Sequence, residues 1–174
     1  MKLSITNEYT IPGSSDPVKV YEDRCLRDPS WQATLQDKIG SDAKVLKNEI
    51  NGDKLHLEVL VQPRSETIPA LLKTVMGEDA LDFVETTDYS FKTHRGTFST
   101  QMENSAFQSF STKGSFSLRS DSPERVKWTS KTDVKCKMWM VGRKVERTIV
   151  NEVKARNPEI RGYIQEHLNS IDEG

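Results

Sequence analysis

The 174-residue sequence predicts an α+β fold: a curved antiparallel sheet of about seven strands around a long C-terminal helix, with two short helices after the first strand. Apolar residues alternate over Lys2–Ile11, then follow a helical period, and from Ala43 they alternate again. After Gly142 the helical period returns and continues to Leu168. Because this last helix alone is long enough to cover the sheet, we expect a cavity between the two.

End signals predict the two short helices. Asp16 precedes Pro17, which places an N-cap residue before a proline in the first helical turn. A second short helix is expected over Ser30–Ile39, where Trp31 lies on the apolar side.

Alternation and turn residues predict the other strands. Asn51-Gly52-Asp53 favours a hairpin, and a helical insertion follows over Pro63–Met76. The expected strands after the first are Ala43–Ile50, Leu55–Val61, Ala80–Phe91, His94–Met102, Phe107–Leu118 and Arg125–Met140. Asn157-Pro158 lies inside the last helical pattern, which predicts either a kink or two separate helices.

Composition excludes two classes of protein. Apolar residues form 34% of the chain, and no apolar run approaches the roughly 18 residues of a spanning helix. The formal net charge of −1 argues against a polyanion-binding protein. We therefore expect a single domain over residues 1–174. Isolated Cys25 and Cys136, together with a start that lacks a signal-peptide apolar segment, predict a cytoplasmic location.

The inner faces of the late strands mix apolar and hydroxyl side chains, as ligand cavities do. The alternative is that these side chains simply pack against the C-terminal helix, which for any one of them is the interpretation we favour. Trp31 and the insertion are expected at the open end of the cavity, as a gate or as a plug. The predicted ligand-binding residues are Trp31, Leu72, Phe98, Thr100, Met102, Phe110, Trp128, Ser130, Thr132 and Ile149.

No motif for catalysis or for a bound cofactor is evident. The three histidines lack metal-ligand spacing, and neither a GxSxG motif nor a glycine-rich phosphate loop occurs. We expect no catalytic residue, metal site or cofactor. An enzyme using the same cavity would need a positioned acid or base, for which His56, Glu85 and Tyr89 are candidates without an evident partner.

Charge is distributed unevenly. Residues Glu124–Arg161 contain 11 basic and 5 acidic residues. This segment could contact an anionic membrane, or it could be a solvated surface whose lysines keep a sheet edge from pairing, which we favour. Nucleic acid is not an expected partner, because no aromatic residues alternate with these lysines.

Three segments carry a resemblance to a known family. Val59–Pro63, Ile68–Gly77 and Trp139–Ile149 resemble segments of one uncharacterised, mainly bacterial family of START-like proteins. The resemblance extends over Met1–Leu168. It implies the helix-grip fold of a superfamily that includes lipid-transfer proteins, hormone receptors and polyketide cyclases.

A second resemblance concerns the insertion. The run from Leu55 through Met76 to Asn104 is similar to the phospholipid-transfer family found between mitochondrial membranes. This similarity implies that the insertion is a lid over a lipid cavity. The resulting hypothesis is binding, or transfer, of a lipid or other apolar small molecule. The alternatives are a cyclase- or hydrolase-type enzyme and a protein-interaction module with a filled core.

Overall fold

The computed structural model describes residues 1–78 and 81–170. The strands are β1 (Lys2–Thr10), β2 (Ser41–Asn51), β3 (Lys54–Pro63), β4 (Phe83–Ser90), β5 (Arg95–Met102), β6 (Phe110–Ser122) and β7 (Arg125–Cys136). The helices are α1 (Pro17–Tyr21), which continues into a π-helical turn (Glu22–Leu26), α2 (Pro29–Lys38), α3 (Ala70–Met76) and α4 (Gly142–Asn169).

All seven described strands form one antiparallel sheet in the order β1-β7-β6-β5-β4-β3-β2. β1 and β2 therefore lie at opposite edges, and α1 and α2 cross between them. The hairpin expected at Asn51-Gly52 is present, with Gly52 at a φ of 61°, a conformation that glycine adopts without steric cost. These features confirm the predicted helix-grip fold class.

α4 covers the inner face of the sheet. Its buried residues are Gly142, Val145, Val150, Ile164 and Leu168. Pro158 lies inside this continuous 28-residue helix, so the final helical pattern is one helix and not two. The helix persists because its apolar side packs on the sheet on both sides of the proline, and tertiary packing outweighs the missing hydrogen bond.

Two glycines make room for phenyl rings on the neighbouring strand. Gly96 of β5 is opposite Phe116 of β6, and Gly114 of β6 is opposite Phe98 of β5. A Cβ on Gly96 would lie 2.7 Å from the Phe116 ring, and one on Gly114 would overlap Phe98. Each phenyl ring therefore occupies the space left by the glycine across from it.

The end of β7 differs from the prediction. The strand stops at Cys136, whereas alternation extended it to Met140 with Met138 and Met140 facing inward. Met138 is partly buried, but Met140 is 78% exposed. β7 ends at Cys136 because this residue is opposite Phe110, the first residue of β6, so the pairing of the two strands ends there. Cys25 and Cys136 are both buried free thiols, and Ala80, the predicted start of one strand, lies outside the described residues.

Candidate ligand cavity

Two chambers lie between the sheet and α4. Chamber A has a volume of about 280 Å³ and lies beneath Val145 and Ile149, in the first half of the helix. Chamber B has a volume of about 270 Å³ and lies beneath its second half. Phe83 lines chamber A, and Glu85, two residues further on the same face of β4, lines chamber B. The chambers therefore adjoin.

Chamber A has mainly apolar walls. Leu72 and Met76 of α3 form one side, and Met102 and Phe110 of the sheet form another. These residues belong to a buried cluster that also includes Val145. The helical insertion therefore covers chamber A, as a lid would. Its polar lining residues include Gln36, Ser41, Thr67 and Arg156.

Chamber B combines aromatic walls with polar groups on several elements. Its aromatic lining residues are Tyr9, Tyr21, Trp31, Phe98, Phe116 and Trp128. Among the described residues, Glu85 is its one acidic lining residue. No hydrogen bond or ion pair joins the Glu85 carboxyl to another described residue, and burial raises its pKa. Glu85 is half-buried, so its carboxyl can be reached from the chamber, where a ligand or water would satisfy it.

An amide pair crosses chamber B from β1 to α4. The side-chain nitrogen of Asn7 donates to the side-chain oxygen of Asn157 at 3.0 Å, and the reverse bond is also 3.0 Å. Both residues line the chamber. Each amide has two donors and an oxygen with two lone pairs, so each keeps hydrogen-bonding capacity for a ligand.

Trp31 of α2 forms the wall of chamber B toward the C-terminal end of α4. Its ring lines the chamber and stacks on the imidazole of His167, with centroids 3.7 Å apart and planes 4° from parallel. The His167 Nε2 atom lies 3.0 Å from the carbonyl oxygen of Arg24. Trp31 is 5% exposed, so chamber B is closed at this point.

Comparison with protein families identifies the chain. The profile of a family described as a protein of unknown function, DUF2505, matches residues 15–165. The chain belongs to the DUF2505 family. Among curated proteins, none matches this sequence.

Several solved structures share the helix-grip fold of this DUF2505 protein. TTHA0849 from Thermus thermophilus is 13% identical, with a TM-score of 0.59 and 98% of each chain covered. A START superfamily protein from Mycobacterium smegmatis is 14% identical, with a TM-score of 0.53 over 95% of this chain and 97% of that one. The di-domain ARO/CYC protein BexL is 8% identical, with a TM-score of 0.57 over all of this chain and 48% of its own. At these identities the likeness shows the fold, and it confirms the predicted START-like resemblance.

Seven of the ten predicted ligand-binding residues of the DUF2505 protein line a chamber. Leu72, Met102, Phe110 and Ile149 line chamber A, and Trp31, Phe98 and Trp128 line chamber B. Their contact with a ligand stays a prediction.

The other three, all hydroxyl residues, line neither chamber. The hydroxyl of Thr100 lies 2.7 Å from that of Thr112. Ser130 is buried opposite Phe116, and Thr132 is opposite Gly114. Both residues were expected to orient a polar ligand group. Ser130 is buried within the sheet packing, whereas Thr132 is half-buried and lines a separate groove with Lys2 and Lys131.

The polar groups of chamber B were not predicted as ligand residues. From the sequence, Glu85 was only a candidate acid or base, and Asn7 was only one residue of the alternating segment Lys2–Ile11. The alternation Phe83, Glu85, Thr87, Tyr89 places Glu85 on the inner face, and this signal could have found it. Asn157 lies 150 residues from Asn7, and nothing local relates the two.

The other two acid–base candidates lie outside the chambers. His56 is on the outer face of the sheet, with Nδ1 2.6 Å from Asp88 and Nε2 3.0 Å from Glu58. These hydrogen bonds raise the pKa of His56. The hydroxyl of Tyr89 is buried without a hydrogen-bond partner among the described residues, and burial raises its pKa.

Two further features concern metals and membranes. Within residues 1–78 and 81–170, no three His, Cys, Asp or Glu side chains are grouped to hold a metal ion. None of the described helices has the length and apolarity of a membrane span.

Proposed function

We propose that this protein binds an apolar small molecule with one hydrogen-bond-donating polar end. The apolar body lies in chamber A and the polar end faces Glu85 in chamber B. The observation that carries this proposal is the carboxyl of Glu85, which has no partner among the described residues, in a chamber that adjoins an apolar one. A lipid or another amphiphile has this division of polarity.

The chamber volumes favour a compact ligand. Pockets for drug-sized ligands have volumes of roughly 300–1,000 Å³, and the chambers have about 280 and 270 Å³. A single alkyl chain or a small ring system suits them better than a two-chain phospholipid. Its binding energy comes from removing carbon from water, at about 25 cal/mol per Å² of buried area.

Glu85 favours one class of polar group. Burial disfavours the charged carboxylate of Glu85. A ligand that supplies a positive charge or a hydrogen-bond donor stabilises the ionised form, so an amine or a hydroxyl would satisfy it. A fatty acid or a phosphate ester would place a second negative charge beside it, which raises the cost of burial. We therefore expect an amine or alcohol to be preferred over an acid.

The alternatives have less support. A cyclase or hydrolase acting in chamber B needs a second group that changes protonation state, but burial raises the pKa of Tyr9 and of Cys25. Both side chains are therefore held in the neutral, protonated form. An interaction module with a filled core does not explain two chambers beside an unpaired carboxyl.

Native mass spectrometry after non-denaturing purification, with organic extraction, tests for a co-purified ligand. The purified protein is then incubated separately with octylamine, octanol and octanoate, which share one chain length. We expect octylamine and octanol to add a discrete mass and octanoate to bind at least about tenfold more weakly, a difference of about 1.4 kcal/mol in binding free energy. Failure of all three to bind would contradict the proposed function.

A matched pair of variants isolates the carboxylate. Glu85→Gln keeps the shape and removes the charge, so it should remove the preference for octylamine over octanoate. Glu103→Gln makes the same change at an exposed position and should leave that preference intact. An unchanged preference in Glu85→Gln would place the polar end of the ligand elsewhere.

A further inference from the structure

We propose that the loop between β7 and α4, residues Lys137–Val141, binds the surface of an anionic membrane; we call this loop the docking tip. The proposal concerns a surface outside both chambers and goes beyond ligand binding. It rests on the exposure, the fixed conformation and the charge of this loop, which are independent observations.

The docking tip carries two large apolar side chains in solvent. Trp139 is 88% exposed and Met140 is 78% exposed. The next most exposed large apolar side chain among the described residues is Leu46, at 48%. Exposed tryptophan is costly in water, but its ring is suited to the boundary between lipid headgroups and acyl chains.

The backbone holds these side chains outward. Met140 has a φ of 65°, a left-handed conformation that is rare for a residue with a long side chain. The Val141 amide donates to the Trp139 carbonyl at 2.9 Å, and the Gly142 amide donates to the Met138 carbonyl at 2.9 Å. A strained backbone conformation persists only where the surrounding structure holds it. The exposure of Trp139 therefore belongs to a defined turn and not to a loose loop.

Met138 connects the docking tip to the ligand cavity. Its side chain packs against the apolar cluster of Leu72, Met102 and Val145, residues that line chamber A. A membrane bound at Trp139 would therefore lie near the apolar end of the cavity, where an amphiphile would enter or leave.

Basic side chains surround the docking tip. Residues 133–147 contain five basic and two acidic residues. Lys137, Arg143, Lys144 and Arg147 are exposed, and none of the four forms an ion pair within the described part of the chain. Of the two acidic residues, Asp133 pairs with Lys135 at 3.3 Å, and Glu146 accepts the Cys136 amide at 2.9 Å. The charge facing outward at this loop is therefore positive.

The shape of the docking tip favours a membrane over a protein. A stable protein interface buries about 800 Å² on each partner, over roughly 20 to 30 residues, whereas this apolar surface is two adjacent side chains on a turn. Anionic headgroups need no shape complementarity and attract clustered lysine and arginine at short range. The combination of Trp139 with unpaired cations fits that partner.

Vesicle co-sedimentation tests the proposal with the full chain. Vesicles of phosphatidylcholine and phosphatidylglycerol in equal amounts are compared with vesicles of phosphatidylcholine alone. We expect binding to the anionic vesicles, a blue shift of tryptophan emission, and weaker binding at high salt because screening reduces the attraction. Equal binding to both vesicle types, or binding to neither, would overturn the proposal.

Two pairs of variants test the residues. Trp139→Ser with Met140→Ser should reduce the partition coefficient by about tenfold or more, whereas Leu46→Ser should not change it. Lys137→Glu with Lys144→Glu should abolish the preference for anionic vesicles, and Lys44→Glu with Lys47→Glu should retain it. The control positions are on β2, whereas Lys137, Trp139 and Met140 are in the docking tip and Lys144 is in the first turn of α4. Far-UV circular dichroism checks that each variant is folded.

A protein partner gives a different result. If the apolar tip is an interface between copies of this chain, sedimentation velocity will show a concentration-dependent dimer that Trp139→Ser with Met140→Ser removes. That result, with no vesicle binding, would replace the membrane by a second copy. Octylamine binding tests the proposed ligand function separately from membrane binding, because the tip variants leave the chamber residues unchanged.

Discussion

Individual polar residues in this protein differ in whether the fold supplies them with hydrogen-bond partners. His56 has a carboxylate on each ring nitrogen, at 2.6 Å from Asp88 and 3.0 Å from Glu58. Glu85 has no described partner and lines chamber B. The first arrangement favours the charged form of its residue and the second disfavours it, so the pKa of both residues rises but for opposite reasons.

The His56 cluster should make stability depend on pH. Its folded-state pKa lies above the ordinary value of 6.5, so its stabilisation is fully present below that value and is lost as the pH rises through the folded-state pKa. His56→Gln should therefore cost about 0.3–1 kcal/mol at about pH 5.5 and less at about pH 8.5, the small size reflecting its partial exposure. Urea unfolding at both pH values measures the difference, and Asp88→Asn should reproduce the effect. An equal cost at both pH values would contradict the assignment.

At the scale of elements, β1 and α4 are joined by more than apolar packing. The reciprocal amide bonds between Asn7 and Asn157, each 3.0 Å, fix the helix against the edge strand next to Pro158. A proline inside a helix weakens the local backbone bonding. The amide pair therefore supports α4 where its own hydrogen bonds are reduced.

Replacement of one amide side chain should lower the free energy of unfolding nearly as much as replacement of both. Asn7→Leu or Asn157→Leu alone leaves a partly buried amide without its partner, at about 1–3 kcal/mol. The double variant removes both polar groups, so its cost should be below the sum of the single costs. Urea unfolding of the three variants gives the coupling energy, and Asn48→Leu at an exposed position is the control. Additive costs would show that the pair is not coupled.

At the scale of the whole molecule, the chambers depend on how the ends of α2 and α4 meet. Trp31 separates chamber B from His167, so one aromatic ring forms the wall there. Both roles expected for Trp31, gate and plug, stay predictions, because its ring lines chamber B and also belongs to the buried apolar core.

If Trp31 is the gate, Trp31→Phe should alter the rates of ligand exchange more than the affinity. Stopped-flow binding of octylamine should show association and dissociation both faster, with a Kd within about threefold of the parent protein. Leu35→Ala is a useful comparison, because it also changes the lining of chamber B but leaves the Trp31–His167 stack intact. A changed Kd with unchanged rates would favour the plug.

The sequence by itself determined the order of elements, because the change between alternating and helical periods reflects which face of each element is buried. It also determined the helix-grip fold. The alternation of β4 contains the inner position of Glu85, although that position was not predicted from it. Turn residues indicated most boundaries to within a few residues. However, β6 continues to Ser122 beyond its predicted end at Leu118, and β7 ends at Cys136, opposite the first residue of β6.

The tertiary structure decided where empty space remains and which polar groups stay unpaired. Chambers A and B are volumes left between α4 and the sheet, and such volumes depend on all surrounding side chains at once. The Asn7–Asn157 pair joins residues 150 positions apart, and the exposure of Trp139 depends on a turn after the strand. Hydrophobic periodicity and turn residues report on neighbours along the chain, whereas these features arise from contacts between distant segments.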